Sequence, residues 1–114
     1  MATAEFAVAI PAVLFVMVLA LSALSAGADQ LRCIDAARAT ARAMARGDAQ
    51  GRAVAQGRRL GPRGAAIEVS MSSAQVEVTV RSRPAALLAW VAPSLGPSAH
   101  AVAAREDAAV DAVP

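Results

Sequence analysis

The stretch FAVAIPAVLFVMVLALSALSAGA, Phe6 to Ala28, decides how this chain is read. Its 23 residues carry no charge, lie between Glu5 and Asp29, and include eleven Leu, Ile, Val or Phe. As a helix rising about 1.5 Å per residue it is roughly 34 Å long, enough to cross the hydrocarbon core of a bilayer. Each large apolar side chain favours insertion by about 0.3 to 0.6 kcal/mol, and no charge opposes them. The competing reading is a cleaved secretory signal, with Ser25, Ala26 and Gly27 resembling a cleavage site. Such a signal needs a basic segment ahead of a shorter apolar stretch, whereas Met1 to Phe6 holds one acid and no base. The sequence therefore predicts a transmembrane segment over residues 1–28. Pro11 withdraws the donor that would bond the Ala7 carbonyl and predicts a bend about one turn into the run. Ala23 and Gly27, four apart, form a small-xxx-small pair that lets another helix approach.

Beyond the apolar run the helical spacing continues. Leu31, Ile34, Ala37, Ala41 and Met44 or Ala45 follow a three-and-four rhythm, while Arg38, Arg42 and Arg46 recur on a second stripe. One helix is predicted from near Thr3 to Arg46, ending at Gly47. Asp48 is read as the cap of a shorter helix to Leu60, weakened by Gly51 and Gly57 and closed by Gly61 and Pro62. The period then changes to two. Ile67, Val69 and Met71 alternate with Glu68 and Ser70, and Val76, Val78 and Val80 with Glu77, Thr79 and Arg81, predicting a β-hairpin. A two-residue turn at Ser72 and Ser73 would set Glu68 opposite Glu77, a destabilising like-charge pair. A four-residue loop, Ser72 to Gln75, instead faces Met71 with Val76, Val69 with Val78 and Ile67 with Val80. Pro84 to Pro93 reads as a helical turn or two covering the sheet, Ser98 to Arg105 as a faint third strand, and residues 106–114 as a disordered acidic tail.

The fold class is thus α+β: a long transmembrane helix that continues into a soluble part, residues 29–105, with a short second helix and a small antiparallel sheet. The 114 residues allow one small domain. Although 57% are hydrophobic, only 3% are aromatic and 32 are Ala, so the soluble part can bury little without the long helix or neighbours. A single Cys and a single His exclude a disulfide framework and a multi-Cys metal site, and no nucleophile and base pair or carboxylate dyad is identifiable. No metal, cofactor, small-molecule substrate or enzymatic activity is expected.

A helix half in the membrane and half supporting a small sheet is the plan of a type IV pilin. The residues ATAEFAVAIP, Ala2 to Pro11, and DQLRCIDAARATARAMARGDA, Asp29 to Ala49, resemble the TadE-type minor pilins of the tight-adherence (Tad) pilus machinery, in its actinobacterial branch. The resemblance is specific over residues 1–49 and architectural beyond them. It implies a structural subunit that initiates, caps or modulates an extracellular pilus or secretion machine, with a role in adhesion or secretion. The implied partners are other pilus subunits, the Tad assembly machinery, the lipid bilayer and, where a leader exists, a prepilin peptidase. In such pilins the peptidase cuts after a Gly or Ala and a Glu stands fifth in the mature chain. Here Glu5 is fifth in the chain as given, so the expectation is either a mature form or a start codon placed too late.

The resemblance makes Glu5, Met1, Phe6 and Pro11 the assembly residues, with Glu5 meeting the N-terminal amine of a neighbouring subunit. Ala23 and Gly27 are the helix-packing pair. Arg32, Arg38, Arg42 and Arg46 against Asp29 and Asp35 leave net positive charge after the helix, which by itself favours the cytoplasmic side. The resemblance implies the opposite, a single-pass cell membrane protein with its C-terminal part extracytoplasmic and available for incorporation in a pilus. The alternative function is a membrane-anchored monomer that holds an anionic polymer, cell-wall polymer or DNA, through Arg38, Arg42, Arg46, Arg58 and Arg59. A solvated basic surface is the plainer reading of these residues. Without interleaved aromatics, nucleic acid is not the expected partner. Cys33 is read as a small buried side chain, with an intermolecular disulfide as its alternative, and Trp90 as packing on the sheet, with an anchor at a membrane interface as its alternative; His100 is assigned no chemistry.

Overall fold

The computed structural model describes residues 2–84 and 86–105. Met1, Ala85 and the expected acidic tail, 106–114, lie outside the described residues, as do the side chains of Ala86, Leu87 and Leu88. The element order is α1 (Ala2–Ala45), α2 (Gln50–Leu60), β1 (Ala66–Met71), β2 (Gln75–Arg81), α3 (Ala86–Val91) and β3 (Ser98–Ala104). The chain is α+β, with a long N-terminal apolar helix, a short helix and a three-stranded antiparallel sheet in the order β1-β2-β3. α1 alone runs 44 residues, and the molecule is 84 Å long and 24 by 19 Å across.

α1 runs as one helix through Pro11 and ends at Gly47, whose φ of 89° is the left-handed conformation glycine adopts without steric cost. The Gly47 N–H bonds the Met44 carbonyl and the Asp48 N–H bonds the Ala43 carbonyl, each at 3.1 Å, which is the paired closure of a Schellman motif. This corrects the expected role of Asp48. Its backbone is committed to closing α1 and its carboxylate turns to Arg46 at 3.5 Å, so Ala49 occupies the N-cap of α2 without a side-chain bond.

The hairpin has the register that the carboxylate argument predicts: Met71 faces Val76, Val69 faces Val78, Ile67 faces Val80, and Glu68 lies opposite Thr79. The Ser72 N–H bonds the Gln75 carbonyl at 2.9 Å, and the Ser72 Oγ accepts from the Gln75 N–H at 3.1 Å. β3 completes the sheet beside β2, with Ala101 opposite Val78.

The core lies between the second half of α1 and the inner sheet face. Val76, Val78 and Val80 of the central strand are fully buried with Cys33, Ala36, Ala37, Ala41, Ala43 and Met44, flanked by Ile67 and Val69 on β1 and by Ala99, Ala101 and Ala103 on β3. Small residues on helix and edge strand let the backbones approach while the Val side chains fill the space between them. α2 closes the other flank of α1. A Cβ added at Gly57 would collide with Thr40 Oγ1 and lie 3.2 Å from Ile67 Cδ1, so this glycine is a close-approach point and not merely a weak spot in the helix.

Trp90 does not pack on the sheet. It is 90% exposed, with Val91 at 70% and Leu95 at 68%. The inner sheet face is already covered by α1, and the Ser82 N–H bonds the Pro97 carbonyl at 2.9 Å. The chain therefore leaves and re-enters the sheet at one point, and α3 in between lies against α1 instead of over the sheet.

Candidate functional site

The first candidate site is the first half of α1. None of its apolar span is buried, and Phe6, Ile10, Val13, Leu14, Phe15, Leu19 and Leu21 all face outward. A helix of this length and hydropathy fits a single-pass membrane anchor, with residues 29–105 forming the soluble part. Phe6, Ala9, Ile10, Val13 and Leu14 line a wholly apolar hollow beside Pro11. Glu5 stands in the first turn, where a carboxylate is favoured by the helix dipole, and it has no ion pair among the described residues. A Cβ added at Gly27 would meet nothing within 4 Å, and Ala23 is exposed, so the small-residue pair presents an uncovered strip. Met1, the expected partner amine, lies outside the described residues.

The basic residues divide between two faces. Arg38, Arg42 and Arg46 line an open cleft of about 320 Å³ between α1 and α2 with Asp35, Ala39, Gln56 and Leu60. Gln56 also borders the surface formed by Arg52 and Arg59, which joins those two arginines to the α1 stripe. Arg58 is turned away, toward Gly51, Val54 and Ile67. Of the five arginines singled out in the sequence, the fold brings four to one face and separates Arg58. The Arg46–Asp48 pair is exposed and contributes little, about 0 to 1 kcal/mol for pairs of this kind.

The remaining polar groups are structural. Cys33 is free and fully buried, with its Sγ 3.8 Å from the Pro97 carbonyl. Burial, and secondarily the Asp29 carboxylate, pushes its thiol above the ordinary value of 9.0. His100 lies on the outer sheet face with Nε2 3.0 Å from Glu77 Oε1 and Nδ1 3.2 Å from Thr79 Oγ1. Sequence reading missed these contacts because they depend on the register of β3, which the Ala-rich alternation left undefined. It also missed Gln30. The Gln30 side-chain amide donates to the Ser98 carbonyl at 2.6 Å and accepts from the Ser98 N–H at 3.0 Å, tying the start of β3 to α1. A lone Gln just past an uncharged run was the available signal. No group of three His, Cys, Asp or Glu suited to a metal is present among the described residues.

No family model matches the chain, and no solved structure matches it. A Mycobacterium tuberculosis protein named apoptosis inhibitor Rv3655c is 36% identical to it over 110 residues, which cover 96% of this chain and 83% of that protein. Similarity of this extent runs through both the anchor and the sheet, and the chain belongs to the family of that mycobacterial protein.

Proposed function

We propose that the chain is a TadE-type minor pilin: a structural subunit, not an enzyme, that joins other pilus subunits and the Tad assembly machinery through α1. In this reading the soluble part is extracytoplasmic, and the subunit initiates, caps or modulates an extracellular pilus or secretion machine. The observation that carries it is the division of α1 into an uncovered apolar half with an acid in its first turn and a second half that forms the core of the soluble part. The helix dipole favours a carboxylate in the first turn, and assembly would give the same group a partner. Drawn toward the apolar centre unpaired, Glu5 would cost about 2 to 3 kcal/mol. Arg32, the first base along the chain, is about 40 Å away at 1.5 Å per residue. A neighbouring subunit's N-terminal amine neutralises Glu5 without moving either charge into lipid, and this makes the pairing a check on register. The name of the mycobacterial relative gives that protein a part in inhibiting apoptosis. Carried to this chain, such a role would need the soluble part to reach the cell exterior, the sidedness proposed here.

Glu5→Gln keeps the shape and removes the charge. Membrane insertion should persist while crosslinking to other pilus subunits and the number of pili fall. Unchanged crosslinking and pilus number at equal protein level would refute the assembly role.

One observation supports a second reading, a membrane-anchored monomer that binds an anionic polymer. Arg38, Arg42 and Arg46 share an open cleft to which Gln56 joins Arg59 and Arg52. Salt separates the two readings, because polymer binding weakens steeply as counterions compete, whereas helix association in lipid does not.

A further inference from the structure

α3 lies against α1, and the strand end that follows it is bonded to α1. Gln30 is two residues past Ala28, about 3 Å along the helix axis. Its amide holds Ser98, and Cys33 Sγ contacts the Pro97 carbonyl, which also accepts from the Ser82 N–H. The exit from β2 and the entry to β3 therefore lie level with the end of the apolar span, at the depth where a bilayer presents its headgroups. The connection between these two strand ends exposes Trp90, Val91 and Leu95. At the base of the same connection Arg81 and Arg83 line a cleft of about 390 Å³ together with Ser82, Ser94 and Ser98.

Trp is favoured at the membrane–water boundary, where its ring is buried and its N–H stays wet, and nearby guanidinium groups suit lipid phosphates. We propose that the connection between β2 and β3 is a second membrane contact: Trp90, Val91 and Leu95 enter the lipid interface of the leaflet from which α1 emerges, and Arg81 and Arg83 hold anionic headgroups there. The proposal rests on α1 being the span, since the span sets the level of the loop. It also accounts for three large apolar side chains left uncovered at one end of a domain whose inner sheet face is filled. With two points of attachment, the soluble part is held against the membrane at a defined tilt.

Trp90 is the single Trp of the chain, so its fluorescence reports on this contact alone. The full chain is placed in vesicles of phosphatidylcholine and phosphatidylglycerol, and flotation with the vesicles checks α1 separately. Lipids brominated near the glycerol end should quench Trp90 emission about twofold, as expected for a ring at the interface, while acrylamide in the water phase quenches it far less than in the urea-unfolded chain. Replacing both Arg81→Ser and Arg83→Ser should abolish the excess quenching by brominated phosphatidylglycerol over brominated phosphatidylcholine. A chain that floats with the vesicles, yet whose Trp90 is quenched by acrylamide and not by brominated lipid, overturns the proposal and leaves the anchor standing. Shielding from both quenchers would place Trp90 against protein and overturn it equally. Failure to float would remove the span and this contact together.

Discussion

The two halves of α1 are one continuous helix with opposite surroundings. Residues 6–24 carry the larger apolar side chains, Phe, Leu, Ile and Val, and stand uncovered; residues 33–44 bury Cys33, Ala36, Ala37, Thr40, Ala41, Ala43 and Met44. Burial inside this molecule does not follow hydrophobicity. It follows what each half must meet. Lipid accepts bulky side chains at any rotamer and needs no complementary surface, so the first half carries them freely. A sheet with three Val at its centre takes the second half only when that helix face is small enough for close backbone approach.

The sharpest way to break this comparison is to place one charge in each half. Ala37 is 1% exposed, so Ala37→Asp buries an uncompensated carboxylate and should cost about 3 to 5 kcal/mol, unfolding the soluble part while the chain stays in the membrane. Protease resistance of the soluble part and its thermal melt check this, and a variant that melts with the parent would show the two halves to be less distinct. Leu19→Asp should do the reverse. Insertion loses about 3 kcal/mol, seen as release by alkaline carbonate, while the melt of the soluble part in detergent is unmoved.

A smaller effect sharpens the contrast within the soluble part. Gly57→Ala drives a Cβ against Thr40 and should cost about 1 to 3 kcal/mol, whereas the same change at Gly51, which faces open space, should stabilise α2 by about 0.4 to 1 kcal/mol. Equal shifts in the two melts would mean that α2 does not press on α1 at Gly57.

The smallest effect concerns Cys33. Its folded pKa is raised by burial, so its contribution to stability is full below the ordinary thiol value and is lost as pH rises through the folded value. Stability should fall on the alkaline side and thiol labelling should lag that of the unfolded chain. Cys33→Ala should remove this part of the pH dependence, and an unchanged alkaline slope would count against it.

Much of this architecture was legible because it depends on local periodicity and charge. The uncharged run gave the long helix, Gly47 its end, and the clash of Glu68 with Glu77 the hairpin register. What was not legible depends on contacts distant in sequence. Asp48 looks like a cap until Gly47 commits its backbone to α1, and Gly57 looks like a weak helix residue until Thr40 is placed beside it. Trp90 looks like a core residue until α1 is seen to cover the inner sheet face by itself. The candidate sites were legible as residue types and not as groupings. Arg38, Arg42 and Arg46 share a stripe by spacing, while their union with Arg59 and the separation of Arg58 depend on how α2 folds back.

The Gln30 clamp has a mechanical consequence. Its two bonds to Ser98 form the nearest attachment of the sheet to the anchor, only about 3 Å beyond the apolar span. A force drawn along α1 reaches the sheet through this clamp, the Cys33–Pro97 contact and the packed face of α1 together, and the clamp's share falls on β3. β3 is an edge strand with only one neighbour in the sheet, so it is also the strand that yields at the least cost to the rest. The amide of Gln30 thus couples the end of the anchor to the strand whose displacement disturbs the Val-filled centre least.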